Sequence, residues 1–384
     1  ASAVGYKSAG TVEFIVDGSD GLKADGFFFM EMNTRLQVEH PVTETITGVD
    51  LVEWQLRVAA GEAMPLSQDQ LTITGHSFEA RLYAEDVPKG FLPATGTLTH
   101  LKFPDGVRAD SGVRGGDTIS PFYDPMIAKV IVHGPTRDVA LAKLSAALRD
   151  TQVAGAVTNL GFLGALAAHK GFAAGDVDTG LIVRDIDALT AVAAITPAHW
   201  ACAGIAALGL DTPKTDAGFS LWASLRQSVA LAREGEEITL QVEVLGVDAQ
   251  RWFVGDAVVK AIRIGGHWQL DGKSAPQVSV AKNRITVFDA YGIAFDIVDP
   301  LQRDASASGD GNVVEAPMPG SVKAVTAKAG QVVQAGDRLA VLEAMKMEHA
   351  LLAARDGIIA EVLVGEGDQV EAGAALIRLG DAEA

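Results

Sequence analysis

Glu31, Asn33, Arg35, Gln37 and Glu39 occupy every second position of the run Glu31-Met-Asn-Thr-Arg-Leu-Gln-Val-Glu39. In an extended chain side chains two apart project to one face, so all five would line a single surface. Two acids, an amide and an arginine converging there would suit an anion held with Mg²⁺. The run Phe27-Phe-Phe-Met30 just before it predicts burial, and buried charges need partners; the plain alternative is a solvated sheet face. A second candidate is Lys346, which sits between Met345 and Met347. Methionines on an exposed turn put flexible apolar side chains where water should be, which suggests a surface handled by another protein; the plain alternative is a solvated charge.

The stripe is positioned by two strand-like runs, 11–16 and 27–32, around a polar loop. These predict an antiparallel hairpin. If Val16 or Asp17 pairs with Phe27, Glu13 lies opposite or diagonal to Glu31. Like charges facing across a ladder are unfavourable, so either a cation sits between them or one or both point to solvent.

Lys346 is positioned by a repeat. Gly320, Val325, Gly330, Val333, Ala335, Gly336, Leu339 and Leu342 recur 37 residues later as Gly357, Val362, Gly367, Val370, Ala372, Gly373, Leu376 and Leu379. Each copy reads as strand, glycine turn, strand. Neither copy can bury its apolar face alone, so the two are expected to pack as one small β-sandwich or flattened barrel, with Met345-Lys346 at the tip of the hairpin joining them.

Between these ends, Thr136 can cap a helix with Val139, Leu141, Leu144 and Leu148 on one side, and a second helix runs through 158–169. His169 reads as a solvated residue at its end, because no partner stands at metal spacing. The alanine-rich run 191–210, interrupted by Pro197 and His199, reads as linker plus a packed helix that includes Trp200. Strand-like runs follow at 237–244, 250–254, 258–264, 267–270, 284–288 and 293–298, and such regular spacing predicts an all-β barrel or sandwich. His267 and Trp268 read there as packing residues, and the small polar run 304–312 as a flexible tether.

Glu343-Ala-Met-Lys-Met347, preceded by Glu315-Ala-Pro-Met-Pro-Gly320, resembles the biotinyl carrier domain of biotin-dependent carboxylases. The resemblance implies biotin in amide linkage on Lys346, with lipoate the alternative for this domain shape. The stripe, together with Glu79-Ala-Arg-Leu-Tyr-Ala-Glu-Asp86 and Tyr123-Asp-Pro-Met-Ile-Ala-Lys129, resembles the end of the ATP-grasp region and the C-terminal lobe of biotin carboxylases. By that resemblance Glu13, Glu31 and Asn33 are the metal-nucleotide ligands, with Mg²⁺ (or Mn²⁺) and ATP. Arg35, Gln37, Val38 and Arg81 form the bicarbonate and biotin pocket, and Glu39 is the general base that deprotonates bicarbonate. Arg35 would stabilise the enolate-like biotin anion. The middle run resembles, by position and architecture, the domain by which acyl-CoA carboxylase α subunits dock on a carboxyltransferase β subunit.

The resemblance thus implies a multidomain α+β chain: residues 1–187 the C-terminal part of a biotin carboxylase, 188–308 a helix plus antiparallel β-barrel, and 313–384 a flattened all-β biotinyl domain. Within the acyl-CoA carboxylases the run 50–62, Pro65-Leu-Ser-Gln68 and Met345-Lys-Met-Glu-His349 point to the 3-methylcrotonyl-CoA branch, with the propionyl-CoA and geranyl-CoA branches open. The acyl-CoA pocket belongs to the partner chain. A biotin protein ligase is the other implied partner. The rival reading is a non-catalytic carrier and docking protein.

A formal charge of −18 over 384 residues argues against nucleic acid or an anionic membrane as partner. A single cysteine, Cys202, excludes an internal disulfide and fits a reducing compartment, the cytoplasm in a bacterium or the mitochondrial matrix in a eukaryote. The family's glycine-rich loop and ATP-binding lysines have no counterpart in this sequence, which enters at Ala1 in mid-domain. These residues alone are therefore not expected to bind ATP well or turn over. Intact mass after co-expression with a biotin ligase is expected to show one biotin adduct that vanishes in Lys346→Arg; an adduct surviving that change overturns the attachment site.

Overall fold

The computed structural model describes residues 4–18, 21–120, 123–212, 218–222, 224–299, 312–344, 347–371 and 373–380. The predicted hairpin forms from β1 (Thr11–Val16) and β2 (Phe27–Asn33), with Val16 opposite Phe27 and Glu13 directly opposite Glu31. Its aromatic residues are not buried: Phe27, Phe28 and Phe29 are 51%, 62% and 65% exposed. Burial inferred from the Phe-rich run is thus incorrect here, because a two-stranded ribbon has no second layer of its own to cover either face. Nor does the extended conformation persist through the stripe. The chain bends at Thr34-Arg35 and turns at Val38-Glu39 into helix α1 (His40–Thr47), followed by α2 (Leu51–Ala59), whose cap Asp50 accepts from Glu53 N at 2.8 Å.

The centre of the carboxylase-like lobe is a sheet of β3 (His76–Tyr83), β4 (Arg108–Ser111) and β5 (Met126–Gly134) in the order β3-β5-β4. Strand alternation gives it one apolar face, with Ala80, Leu82, Ala128, Val130 and Val132 buried beneath α3 (Arg137–Asp150) and α4 (Leu160–Ala168). Thr136 caps α3 as predicted, accepting from Val139 N at 3.3 Å. The buried stripe is Ala140, Leu141, Leu144, Ala147 and Leu148; Val139, expected on it, is 39% exposed because it lies one step off the helical period. His169 is not a solvated end residue. It caps α5 (Lys170–Ala174) by accepting from Phe172 N at 3.4 Å and faces Asp185 of α6 (Leu181–Leu189) at 3.3 Å.

The middle unit is the predicted helix, α7 (Pro197–Ala207), with an antiparallel sheet curled around it. In chain order the strands are β6 (Arg226–Arg233), β7 (Glu236–Gly246), β8 (Ala249–Val254), β9 (Ala257–Ile264), β10 (His267–Leu270), β11 (Lys273–Ser274), β12 (Val278–Ala281), β13 (Arg284–Val287) and β14 (Ile293–Ile297). Their order in the sheet, β11-β10-β9-β8-β7-β6-β14-β13-β12, is a continuous ladder, and α7 packs against β6, β7, β8, β9, β12 and β13. Trp200, Trp252 and Phe295 fill the interior, and burial pushes the thiol of Cys202 up to about 12. Trp268 packs on this core, donating Nε1 to Asp211 O at 3.1 Å, whereas His267 is exposed and packs on nothing in it.

This unit meets the first lobe through the turn Asp289-Ala290-Tyr291-Gly292. Both central residues have positive φ, 45° at Ala290 and 70° at Tyr291, and Gly292 N donates to Asp289 O at 2.8 Å. Non-glycine residues adopt that conformation only when the surroundings enforce it. Here the Tyr291 ring lies against α4, where a Cβ on Gly164 would come within 2.2 Å of its tip. Phe288 stacks on His100 at 4.7 Å, and Gln152 Nε2 donates to Gln277 Oε1 at 2.9 Å. A cavity of about 210 Å³ opens at this seam, lined by Arg149, Thr151, Gln152 and Tyr291 among others, and contains none of the predicted site residues.

The carrier unit consists of β15 (Val313–Glu315), β16 (Gly320–Val325), β17 (Val332–Val333), β18 (Arg338–Ala344), β19 (Met347–Leu352), β20 (Gly357–Val362), β21 (Gln369–Val370) and β22 (Ala375–Gly380). Its two sheets, β15-β22-β20-β17 and β19-β18-β16-β21, each take two strands from either copy of the repeat. The copies are therefore interleaved, and neither has a complete sheet without the other. Met345 and Lys346 lie outside the described residues; the flanking ladder runs to Ala344 opposite Met347. The predicted tether lies outside them as well, except for Asn312.

Gly204 of α7 allows the helix to approach Trp252, whose Cζ3 would be 2.4 Å from an added Cβ. Gly204→Ala is expected to destabilise the chain by about 1–3 kcal/mol through overpacking, despite the better helix propensity of alanine. Urea unfolding checks this; unchanged stability would mean that the helix moves out freely.

Candidate functional site

The second face of the β3-β5-β4 sheet carries charge. Glu79 and Arg81 stand two apart on β3, Lys129 lies opposite Arg81 on β5, and Asp110 lies opposite Lys129 on β4. Arg108 shares that face, and α1 covers it. Three polar contacts tie that face to α1 and the turn before it. Arg81 Nη2 donates to Glu39 Oε2 at 2.7 Å, Lys129 Nζ to the carbonyl of Val38 at 2.8 Å, and Arg108 Nη1 to Glu44 Oε2 at 2.8 Å. Glu44, only 6% exposed, also accepts from Leu51 N at 2.9 Å and so ties α1 to α2. Arg108 grips Asp110 through two further bonds at 2.9 Å.

Glu39 is the N-cap residue of α1, but its side chain caps nothing; it is turned to Arg81 instead. The pair is open to solvent on one side, with side chains 57% and 41% exposed.

The hairpin contributes a chain of hydrogen bonds. Glu13 Oε1 accepts from Asn33 Nδ2 at 2.6 Å and from Gln37 Nε2 at 2.8 Å, while Asn33 Nδ2 also donates to Glu31 Oε1 at 3.1 Å. Arg35 donates to Gln37 Oε1 at 2.8 Å and to Asn33 Oδ1 at 3.3 Å. The amide of Asn33 thus puts N–H donors between two carboxylates that face each other across the ladder, the place a cation would take. Among the described residues no group of three or more His, Cys, Asp or Glu is placed to hold a metal. The two carboxylates fit Mg²⁺ all the same, because that ion keeps several waters and takes the rest of its shell from substrate oxygens; the Asn33 amide oxygen, which here accepts from Arg35, would join them on turning the side chain over.

The structure therefore joins Glu13, Glu31, Asn33, Arg35 and Gln37 in one network, and Val38, Glu39 and Arg81 in a second that follows directly along the chain. Sequence reading did not single out Glu79, Lys129, Asp110, Arg108 or Glu44. Charged residues at alternate positions of a strand whose other positions are apolar were the available signal: Glu79 and Arg81 alternate with Ala80 and Leu82.

Comparison with known proteins matches residues 79–184 to the biotin carboxylase C-terminal domain, residues 1–67 to the carbamoyl-phosphate synthase L chain ATP-binding domain, and residues 312–379 to the domain described as biotin-requiring enzyme. In these three segments the chain is similar to the biotin-dependent carboxylases. It is 37% identical to the mitochondrial methylcrotonoyl-CoA carboxylase subunit alpha of Rattus norvegicus over 414 aligned residues, which cover 100% of this chain and 57% of that protein. Against the mitochondrial propionyl-CoA carboxylase alpha chain of Caenorhabditis elegans the identity is 36%, covering 92% of this chain and 54% of the relative. The chain thus spans a little over half the length of these relatives. A solved biotin carboxylase domain, that of Hydrogenobacter thermophilus 2-oxoglutarate carboxylase with MgADP and bicarbonate, is 40% identical at a TM-score of 0.47, covering 50% of this chain and 42% of that one. The matched domains are those of proteins that use biotin, and ATP with Mg²⁺, as cofactors. No helix of the described residues is long and apolar enough to cross a membrane.

Arg108 gives the charged layer a pH signature. Its hydrogen bonds hold the Asp110 carboxyl below the usual range against the opposing effect of burial. A depressed carboxyl stabilises the fold above its unfolded pKa, and that contribution is lost as pH falls through the folded value. Arg108→Met is expected to cost about 2 kcal/mol at neutral pH, less than a fully buried pair because Arg108 is 40% exposed, and the difference should narrow below about pH 4. Thermal unfolding of both proteins across pH measures this; a deficit constant with pH would exclude the ionic origin.

Proposed function

We propose that this chain is the distal part of an acyl-CoA carboxylase α subunit, which carboxylates biotin with bicarbonate and delivers the carboxyl group to a carboxyltransferase β subunit. The observation that carries the reading is the Glu39–Arg81 pair at 2.7 Å, adjoining the Arg35–Gln37–Glu13 network in a chain that ends in a biotin-requiring domain. When bound, ATP with Mg²⁺ supplies the phosphoryl group that activates bicarbonate, and biotin supplies the nitrogen that accepts the carboxyl.

Glu13, Glu31 and Asn33 would hold the metal. Gln37 and the backbone at Val38 position bicarbonate, and Glu39 takes its proton. Proton removal by a positioned carboxylate needs the acceptor within hydrogen-bond reach of the substrate, and Glu39 has an open side from which to reach it. Arg81 orients Glu39. Arg35 stabilises the negative charge that develops on the acceptor, a role suited to a guanidinium that stays charged. Lys346 carries biotin, attached by a biotin protein ligase.

The acyl-CoA is 3-methylcrotonyl-CoA on this reading, supported by similarity to a methylcrotonoyl-CoA carboxylase alpha subunit along the whole chain. Propionyl-CoA is the second reading, favoured by the C. elegans relative. A carboxyltransferase β subunit fits the middle unit, where Phe219, Leu221, Trp222 and Leu225 form an apolar segment 76%, 78%, 96% and 72% exposed. A eukaryotic source would place the protein in the mitochondrial matrix, as the names of its relatives suggest, and a bacterial source in the cytoplasm.

In the full-length protein Arg35→Ala and Glu39→Ala are each expected to lower bicarbonate-dependent ATP cleavage by about 10²-fold or more. Wild-type turnover in either variant removes that residue from the mechanism. In the complex with the β subunit, kcat/KM for 3-methylcrotonyl-CoA is expected to exceed that for propionyl-CoA; the reverse order establishes the second reading.

A further inference from the structure

Behind the Glu39–Arg81 pair lies a buried carboxylate that no hydrogen bond holds. The side chain of Glu79 is 4% exposed, and neither of its oxygens accepts a hydrogen bond among the described residues. Burying a carboxylate without hydrogen bonds is unfavourable, and a sheet position under a helix has no need of one.

The neighbours of Glu79 suggest its use. Arg81 Nε stands 3.8 Å from Oε1 and Lys129 Nζ 3.9 Å from Oε2, both just beyond hydrogen-bond length. Each cation already serves the base. Arg81 binds the Glu39 carboxylate at 2.7 Å, and Lys129 holds the carbonyl of Val38, the residue before it, at 2.8 Å. In the rest of the charged layer Asp110 and Glu44 are bound by Arg108, Lys129 Nζ also stands 3.8 Å from Asp110 Oδ2, and His40 of α1 approaches Glu44 at 4.0 Å. Among the described residues Glu79 is thus the anion within 4.0 Å of Arg81 other than Glu39. Burial raises its pKa, Lys129 and Arg81 oppose that, and the Glu39 charge adds to it.

We propose that Glu79 is a positioning residue for the bicarbonate reaction, the second anionic station of Arg81, which holds the guanidinium and the Lys129–Val38 contact in place while Glu39 carries a proton. This rests on the reading of Glu39 as the base. The proton leaves the bicarbonate hydroxyl and ends on a Glu39 carboxylate oxygen, so Glu39 becomes neutral while Arg81, Lys129 and Glu79 keep their protonation states. With its partner neutralised, Arg81 has the Glu79 carboxylate left at 3.8 Å on its buried side, where Glu79 itself is 4% exposed although the guanidinium is 41% exposed. The guanidinium stays beside the site and is poised to rebind Glu39 once the proton is passed on.

The test is bicarbonate-dependent ATP cleavage by the full-length protein across pH, for Glu79→Gln, Glu79→Asp and Glu39→Gln. Glu79→Gln keeps the shape and removes the charge. It is expected to lower kcat about tenfold while leaving KM for bicarbonate within about twofold, the pattern of an interaction that matters after binding. The acid limb of its kcat profile is expected to move to lower pH, because removing a nearby negative charge disfavours protonation of the base. Glu79→Asp keeps the charge but withdraws it by one methylene, so it should retain the acid limb and lose only part of kcat. A Glu79→Gln protein with wild-type kcat and pH profile overturns the proposal, as does an equal loss in the Asp variant with no movement of the limb in either. Should Glu79→Gln show no melting transition, the Asp variant decides, and wild-type kcat there overturns it. Glu39→Gln separates the two levels: activity retained in it refutes the base assignment itself, whatever Glu79 does.

Discussion

A sheet face lined with charge can be covered only by groups that answer each charge, and this constraint governs the carboxylase-like lobe. The β3-β5-β4 sheet is apolar on the side of α3 and α4 and ionic on the side of α1. An amphipathic helix with an ordinary apolar stripe could not lie there without stranding Arg81, Lys129 and Arg108. Helix α1 is instead held by bonds from these three residues to Glu39, the Val38 carbonyl and Glu44. Its first turn is thereby fixed to the sheet, and the residue at the head of that turn is Glu39. The fold positions the base candidate through its electrostatics, with apolar packing supplied from the other face.

Elsewhere the chain is held by shape. In the middle unit Gly204 brings α7 against Trp252, and Gln250 links the Trp252 indole to the Leu210 carbonyl at 2.9 and 3.1 Å, so the buried ring nitrogen and the helix end are satisfied together. In the carrier unit the interleaved repeat makes folding all-or-none, since every sheet spans both copies. Near its tip Glu343 and Glu348 face each other across the ladder, a repulsion relieved by Lys323 at 3.3 and 2.6 Å. The two units are held differently: one is anchored to the first lobe by Tyr291, and the other follows residues 304–312, which are small and polar in sequence.

The hairpin shows how a correct pairing of strands can accompany a wrong inference about burial. The sequence left Glu13 opposite or diagonal to Glu31; they stand directly opposite because a bulge between Glu13 and Phe14 shifts the ladder by one residue from its Val16–Phe27 end. Alternation beyond Asn33 did not survive, because the chain bends to enter α1, and convergence of Arg35 and Gln37 on Glu13 comes from that bend as much as from periodicity. The exposed phenylalanines could not be foreseen from a run of apolar letters, since hydrophobicity states a preference for burial and says nothing of whether a covering layer exists.

What the sequence determined by itself was local or repetitive. The hairpin itself, the Thr136 cap, the packed alanine-rich helix and the carrier repeat all depend on contacts between residues near in sequence or related by a fixed offset, and their periods are written in the residue order. Strand β6 escaped that reading although Val229 and Leu231 alternate in it, because alanine at the intervening positions blurs the contrast. What only the tertiary structure decided was which distant charges meet. Arg81 reaches Glu39 across 42 residues and Lys129 reaches Val38 across 91, and Glu79 is left between them without a hydrogen bond. Electrostatic partners carry no period, so nothing in the order of residues announces them until the sheet brings their strands side by side.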